Sequence, residues 1–567
     1  MSALDKLLAK QGRTRAELAK DPRTRLGKLL RRGGVPDSPE VQRVRALPRA
    51  AEPTQEELDE LHALVQLPSC QERLRSAQAR ALLELLLMGS LFAPLQVGAG
   101  KTLVSLIAPL VLGCSNALLL VPASLRDKTK RDCEDYKRRG WRVELPTIRG
   151  YEEMALESRA DELDKLDPDL VIADEAHKLR NLDAAVTRRL ERWLAEHPEV
   201  PLVLMSGTLI STQLVRWHHL VEWTHGPERM PLPASRDECA LWGQALDEPP
   251  KDSLGPSLEL GALSWTGGRE GFAKHVLGTP GIVGTTTQEV GASIEVRAWR
   301  PPRSSAEVRE AMRLVKEEGT RPDGELLSDS EMIDCLQQLA LGFYYVWDPP
   351  PPEGWREARS EWLDVVSTYK RMRRPGLDTE LQIKNHLRNF VDRPQDRAVL
   401  DAWEEAQRRY KPPRKAVWLD DSVLRSAMEH ACKHNALVWH TYKAVGDRFE
   451  QLGLKHFGEG GYDRRGLYIE DHNGPASLSR KANCEGKNLQ FKWNHNLVLT
   501  VTPNPEPWEQ LIGRTHRSGQ RADAIYVDVN QQLDYHVQAL ARARSGAEHL
   551  SKMTKNKQKL ALATWAI

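Results

Sequence analysis

The chain has 567 residues, several times the size of one hydrophobic core, so two or three domains are expected. Its 81 basic and 79 acidic residues, with 28% charged and 40% hydrophobic overall, exclude a disordered or membrane-embedded class and leave net charge silent about partners. Seven scattered cysteines with no CxxC pair exclude a disulfide framework and a zinc module; with no apolar run of 18 residues and no signal-type start, a cytoplasmic protein without membrane attachment is expected.

Residues 1–70 read as a helical accessory arm. Its first 50 residues carry 13 Lys/Arg against 5 Asp/Glu, including Arg13, Arg15, Arg23, Arg25, Arg31 and Arg32. That charge would add salt-dependent affinity for nucleic acid, or would serve a partner-docking extension. From residue 71 the pattern becomes α/β, and residues 71–300 are read as a first lobe. Ala117–Val121, Leu170–Ala173 and Leu202–Met205 are short apolar runs of the kind that form buried parallel strands.

Within that lobe, Gln96-Val97-Gly98-Ala99-Gly100-Lys101-Thr102 stands between an apolar stretch and a helical one. A glycine-rich turn in that position lets backbone N–H groups approach phosphate oxygens. Lys101 would neutralise the phosphates of ATP and Thr102 would ligate Mg²⁺. Leu95 occupies the first glycine position of the strict pattern, so an ordinary strand-to-helix turn is the alternative.

The run Leu170–Ala173 leads into Asp174-Glu175-Ala176-His177, which puts two carboxylates at the carboxyl edge of a sheet. Asp174 could hold Mg²⁺ and Glu175 could polarise the water that attacks phosphate. Asp174 as a helix cap with Glu175 in solvent is the plainer alternative. Ser206-Gly207-Thr208, at the end of the third run, are small residues able to couple the His177 turn to a second lobe.

Residues 301–414 are rich in Trp and Pro, are helical in part around Ser360–Met372, and are read as a linker with an insertion. Ala436–Trp439, Leu497–Thr500 and Ala524–Val527 then mark a second α/β lobe over 415–545. Residues 546–567 are read as a basic tail in which Lys552, Lys555, Lys557 and Lys559 form a solvated face.

Taken in order, these blocks resemble the Snf2 group of superfamily 2 helicases. Leu74-Arg75-Ser76-Ala77-Gln78 is similar to that group's adenine-recognition motif, with Gln78 reading the base. Val121-Pro122-Ala123-Ser124-Leu125 is similar to motif Ia, Thr147–Glu152 to the next DNA-contacting motif, Asp174–His177 to the DEAH box, and Ser206–Ile210 to motif III. Gly486-Lys487-Asn488-Leu489-Gln490 is similar to motif V. Gln510-Leu511-Ile512-Gly513-Arg514-Thr515-His516-Arg517-Ser518-Gly519-Gln520 is similar to motif VI and is the most specific block. Gly342–Trp347 resembles compact Snf2-type helicases of phage and prophage genomes.

The resemblance implies two RecA-like lobes with parallel sheets, ATP and Mg²⁺ as cofactors, and ATP hydrolysis coupled to movement on nucleic acid, double-stranded DNA in the first instance. It implies Gln510, Arg514 and Arg517 in catalysis; on one predicted helix the two arginines would share a face and reach the γ-phosphate from the second lobe. Pro122, Ser124, Lys128, Lys487 and Asn488 would contact nucleic acid, mostly at phosphates. A strand-separating DNA or RNA helicase and a nucleotide-gated recruitment protein are the alternatives.

Overall fold

Strands buried on both faces are built from uninterrupted apolar runs, and the chain contains two sets of them. The computed structural model describes residues 38–247, 268–285, 290–390, 393–411, 413–484 and 486–566. The arginines from Arg13 to Arg32, Pro249-Pro250 and Pro412 lie outside the described residues.

The first set comprises β1 (Leu91–Ala93), β2 (Ala117–Val121), β3 (Thr147–Gly150), β4 (Leu170–Asp174) and β5 (Leu202–Met205). They form a parallel sheet in the order β1-β5-β4-β2-β3. Side chains alternate between two helical layers, as the two-residue strand period requires. Phe92, Leu118, Val171 and Leu204 enter one core, while Leu91, Leu119, Ile172 and Val203 enter the other.

The second sheet has seven parallel strands: β6 (Ser293–Trp299), β9 (Leu437–His440), β10 (His456–Phe457), β11 (Ala476–Ser479), β12 (His495–Val498), β13 (Ala524–Asn530) and β14 (Thr564–Ala566). Their order is β10-β11-β9-β12-β13-β6-β14. Between β6 and β9 the chain adds an antiparallel ribbon of β7 (Phe343–Trp347) and β8 (Arg414–Trp418). The fold is α/β with two parallel sheets. Among the described residues, no helix is long and apolar enough to cross a membrane.

Three expected boundaries move. The first lobe does not run to residue 300, because β6 pairs with β13 along its whole length and belongs to the second sheet. Residues 39–65 are not a separate arm: Val41 and Val44 enter one core of the first lobe, and Leu61 and Val65 the other. Residues 546–567 are not a solvated tail either. The helix Asp534–Thr554 is followed by a short helix, Lys559–Leu562, in which Lys559 and Leu560 are buried, and β14 then pairs with β6.

The inserted region is helical as expected, with Trp355–Arg371, Glu380–Asn389 and Pro394–Arg409 packed around Trp355, Trp362 and Trp403. It is tied to the first lobe through Asp378, which is 2% exposed. Arg192 donates to both Asp378 oxygens at 2.9 and 2.6 Å, while Arg189 and Arg188 lie 3.8 and 4.0 Å away. Three cations around one buried carboxylate give this contact a defined geometry.

Candidate nucleotide site between the lobes

Strand order brings the site together. β5 lies between β1, which feeds the glycine-rich turn, and β4, which ends in Asp174, so the Ser206 turn at the end of β5 reaches both. Gly100 caps the helix Lys101–Leu112 with φ +80, a conformation L side chains rarely adopt. A Cβ at Gly100 would also collide with Gln78 Nε2. Gln78 Nε2 donates to Gly100 O at 3.0 Å, and its Oε1 accepts from Arg75 N at 2.9 Å. The side chain expected to read the base is thus held against the turn.

Lys101 points back along the sheet edge, with Nζ 3.8 Å from Glu175 Oε1. Glu175 has φ +55, outside ordinary helix and strand geometry, and caps the short helix Ala176–Arg180. Its Oε2 accepts from Ser206 Oγ at 2.9 Å, and His177 Nδ1 lies 2.9 Å from the same Oγ and 3.3 Å from Oε2. Thr208 N donates to Ser206 Oγ at 3.2 Å, which completes the cluster. Tyr151 OH donates to Asp174 O at 2.7 Å and braces the strand end from the helical side.

Burial works against the Glu175 charge, but Lys101, His177 and the Ser206 hydrogen bond outweigh it and hold the carboxyl well below the usual range. Asp174 moves the other way: burial, then the neighbouring Glu175 charge, push it up. That divergence separates an ionised Glu175 from an Asp174 for which Lys101 offsets only part of the effect of burial. Thr102 lines the cleft and Asp174 ends β4 beside Glu175; a hydroxyl and a carboxylate are oxygen donors that suit a hard divalent cation sharing its other positions with water and phosphate. Among the described residues, no group of three or more His, Cys, Asp or Glu side chains is arranged to hold a metal by itself.

A cleft of about 320 Å³ borders this turn, lined by Gln78, Gly98, Gly100 and Thr102 from the first lobe and Asn488 and Arg517 from the second. The helix Pro505–Thr515 carries Gln510 and Arg514 but stops before Arg517. The two arginines therefore do not share a helical face. They converge all the same, because each donates Nη1 to Lys487 O at 3.4 Å. His516 ends the helix with its ring buried and Nε2 2.8 Å from Ala292 O.

The second lobe abuts the turn directly. Val97 is enclosed by two glycines, one from each lobe: a Cβ at Gly207 or Gly513 would stand 3.1 Å from Val97 side-chain atoms. Lys128, Lys487, Arg514 and Arg517 lie close enough here to act on one another, with Glu470 and Asp132 among them. Burial, then the adjacent Arg514, pulls Arg517 down to about 10, and burial lowers Lys487 to about 8 against a partial rescue by Glu470. An anion in the cleft would relieve both.

Of the residues expected on nucleic acid, Lys128 and Asn488 line one cleft with the glycine-rich turn, whereas Pro122, Ser124 and Lys487 do not line it. Ser124 is exposed, but Pro122 is buried. Lys128 is half-buried in that cleft. Lys487 is 1% exposed, with Nζ donating to Gly460 O at 2.7 Å and lying over the Tyr468 ring, so it cannot track phosphates from this position. Asn488 sits at the cleft with its N–H donating to Glu470 Oε1 at 2.7 Å.

Four contacts have no counterpart in the sequence reading. Arg75 Nη1 donates to Gly98 O at 2.8 Å. Arg180, three residues past the DEAH box, makes a two-pronged ion pair with Glu506 of the second lobe at 2.5 Å on each arm. Lys559 N donates to the buried Glu509 Oε2 at 2.6 Å, and Lys559 Nζ lies 3.0 Å from His516 Nδ1. Asn556 Nδ2 donates to Pro94 O at 3.2 Å, just before the turn. The position of Arg75 inside Leu74–Gln78 was a usable signal for the first; the Arg180 and Asn556 contacts depend on how distant parts of the chain meet, and those of Lys559 on how the C-terminal segment packs against the helix Pro505–Thr515. No family model and no curated protein matches this chain.

Proposed function

We propose that the chain is an ATP hydrolase of the superfamily 2, Snf2-like type, using hydrolysis to move on or remodel nucleic acid, with double-stranded DNA as the substrate. The observation that carries this reading is the clustering of Lys101 with Glu175, His177 and Ser206 beside a glycine-rich turn whose Gly98, Gly100 and Thr102 line one cleft with Arg517 of the other lobe. A phosphate chain entering the cleft takes Lys101 as its counter-charge in place of Glu175. Glu175, ionised and oriented by Ser206 and His177, accepts the proton of the attacking water. Arg514 and Arg517 stabilise charge on the transferring phosphoryl group. Thr102 and Asp174 would hold Mg²⁺, which polarises phosphate oxygens when bound.

Because the two halves of the site belong to different lobes, nucleotide state and lobe separation are linked, and alternating closure can become movement along a polymer. The test is ATP turnover measured side by side with duplex DNA, single-stranded DNA, RNA and no polymer. Stimulation greatest with duplex is expected, and Lys101→Ala should lose turnover by at least about 100-fold. Equal turnover in all four conditions would remove the motor reading, and undiminished turnover in Lys101→Ala would remove this site.

A further inference from the structure

A second cavity, of about 310 Å³, opens within the inserted region and shares no lining residue with the nucleotide cleft. One wall is aromatic: Trp347 ends β7, and Trp355 lies edge-on to it with ring centroids 5.1 Å apart. Trp355 is 4% exposed and its Nε1 has no hydrogen-bond partner. The neighbouring Trp362, by contrast, is fully buried and donates Nε1 to Glu380 at 2.8 Å, so it is spent on the core.

The carboxylates lining the cavity are all engaged. Glu325 is paired with Arg321 and Arg356. Glu331 accepts from Ser328 N at 2.9 Å, and Asp334 accepts from Tyr442 OH at 2.7 Å and from Gln338 at 2.6 Å. Two arginines on the same wall are left over. Arg359 and Arg414 each stand 5.7 Å from the Trp347 ring centroid, and neither has an ion-pair partner among the described residues.

Two guanidinium groups without counter-charge beside an indole wall define a ligand. It must carry an anion and a flat ring. A nucleotide has both, and indole and guanidinium planes accept any base. Bases inside a duplex are stacked and out of reach, which selects an unpaired strand or a frayed end. We propose that this cavity takes one nucleotide of an unpaired nucleic-acid strand. Its base lies against Trp347, and its phosphate lies at Arg359 and Arg414. The idea rests on the motor reading only in supposing that the chain meets nucleic acid.

The experiment uses the full chain and a fluorescein-labelled twelve-residue oligo-dT, followed by anisotropy from 50 to 200 mM salt. Wild type is compared with Trp347→Ala and with the double variant Arg359→Gln/Arg414→Gln. Blunt duplex, AMP as competitor, and ATP turnover without polymer are run in parallel. Strand affinity is expected to fall at least about 10-fold in both variants, with the salt dependence of log K flattened by about 1.4 in the double variant. Duplex affinity and polymer-free turnover should stay within about twofold.

Unchanged strand affinity and salt slope in the double variant, no binding of the strand by wild type, or displacement by AMP at concentrations comparable to the strand would each overturn the proposal. The double variant carries the test if Trp347→Ala folds poorly. Loss of strand binding in the variants of a chain that hydrolyses no ATP would instead sink the motor reading alone. Intact duplex-stimulated turnover with variant-insensitive strand binding would sink the cavity alone.

Discussion

At the scale of single residues, the site works by setting two adjacent carboxyls apart. Glu175 owes its ionised state to Lys101 and to the hydroxyl of Ser206, so removing its charge while keeping its shape separates binding from chemistry. Glu175→Gln should hold ATP within a few-fold of wild type and turn it over about 10² to 10⁴ times more slowly. Binding of a fluorescent ATP analogue alongside steady-state turnover checks this, and an equal loss of both would assign Glu175 a structural role. Lys101, Asp174 and Glu175 were legible in the sequence because each sits at a fixed offset from a strand end, and local backbone geometry alone puts them at the sheet edge. The fate of Lys487 was not legible. Its burial against Gly460 and Tyr468 depends on a loop that folds back from another strand of the second lobe.

At the scale of elements, the same distinction separates what could be read from what could not. The runs that became β2, β4, β5 and β9 are apolar throughout, as a strand covered on both faces must be. β6 was missed because Ser293–Trp299 mixes Glu295 and Arg297 with Ile294 and Val296. The structure explains the mixture: Arg297 donates to both oxygens of Asp528 on β13 at 2.8 and 2.9 Å, so its charge is spent within the sheet. The helix Pro505–Thr515 is anchored across the lobes by Arg180 and Glu506, two partly buried partners in a two-pronged pair. In a double-mutant cycle on unfolding free energy, Arg180→Ala and Glu506→Ala should show a coupling of about 1–2 kcal/mol, with each single variant costing nearly as much as the double. Additivity within about 0.3 kcal/mol would mean that the pair does not hold the lobes together.

At the scale of the whole molecule, the two lobes are joined by more than the inserted region. The helix Asp534–Thr554 sends Ala539, Leu540 and Ala543 into the core of the second lobe and Leu550 and Met553 into the core of the first, before β14 returns to the second sheet. Conditions that loosen one core should therefore be felt by the other, and acid is such a condition for both. Burial pulls five of the described histidines down to about 4: His219 and His225 in the first lobe, and His495, His516 and His536 in the second. In the unfolded chain each titrates near 6.5, as a free imidazole side chain does. Between those limits the unfolded state binds protons that the folded state refuses, so stability rises with pH across the window. The histidine contribution is fully present above about pH 6.5 and is lost as the pH falls towards 4. Thermal unfolding at constant ionic strength should show a midpoint that is flat from pH 8 to 7 and falls progressively from pH 6.5 to 5, with tryptophan fluorescence and circular dichroism moving together. A midpoint unchanged over that range would mean that these rings reach solvent in the folded protein. A fall in which the two probes separate would mean that the Asp534–Thr554 helix does not couple the cores.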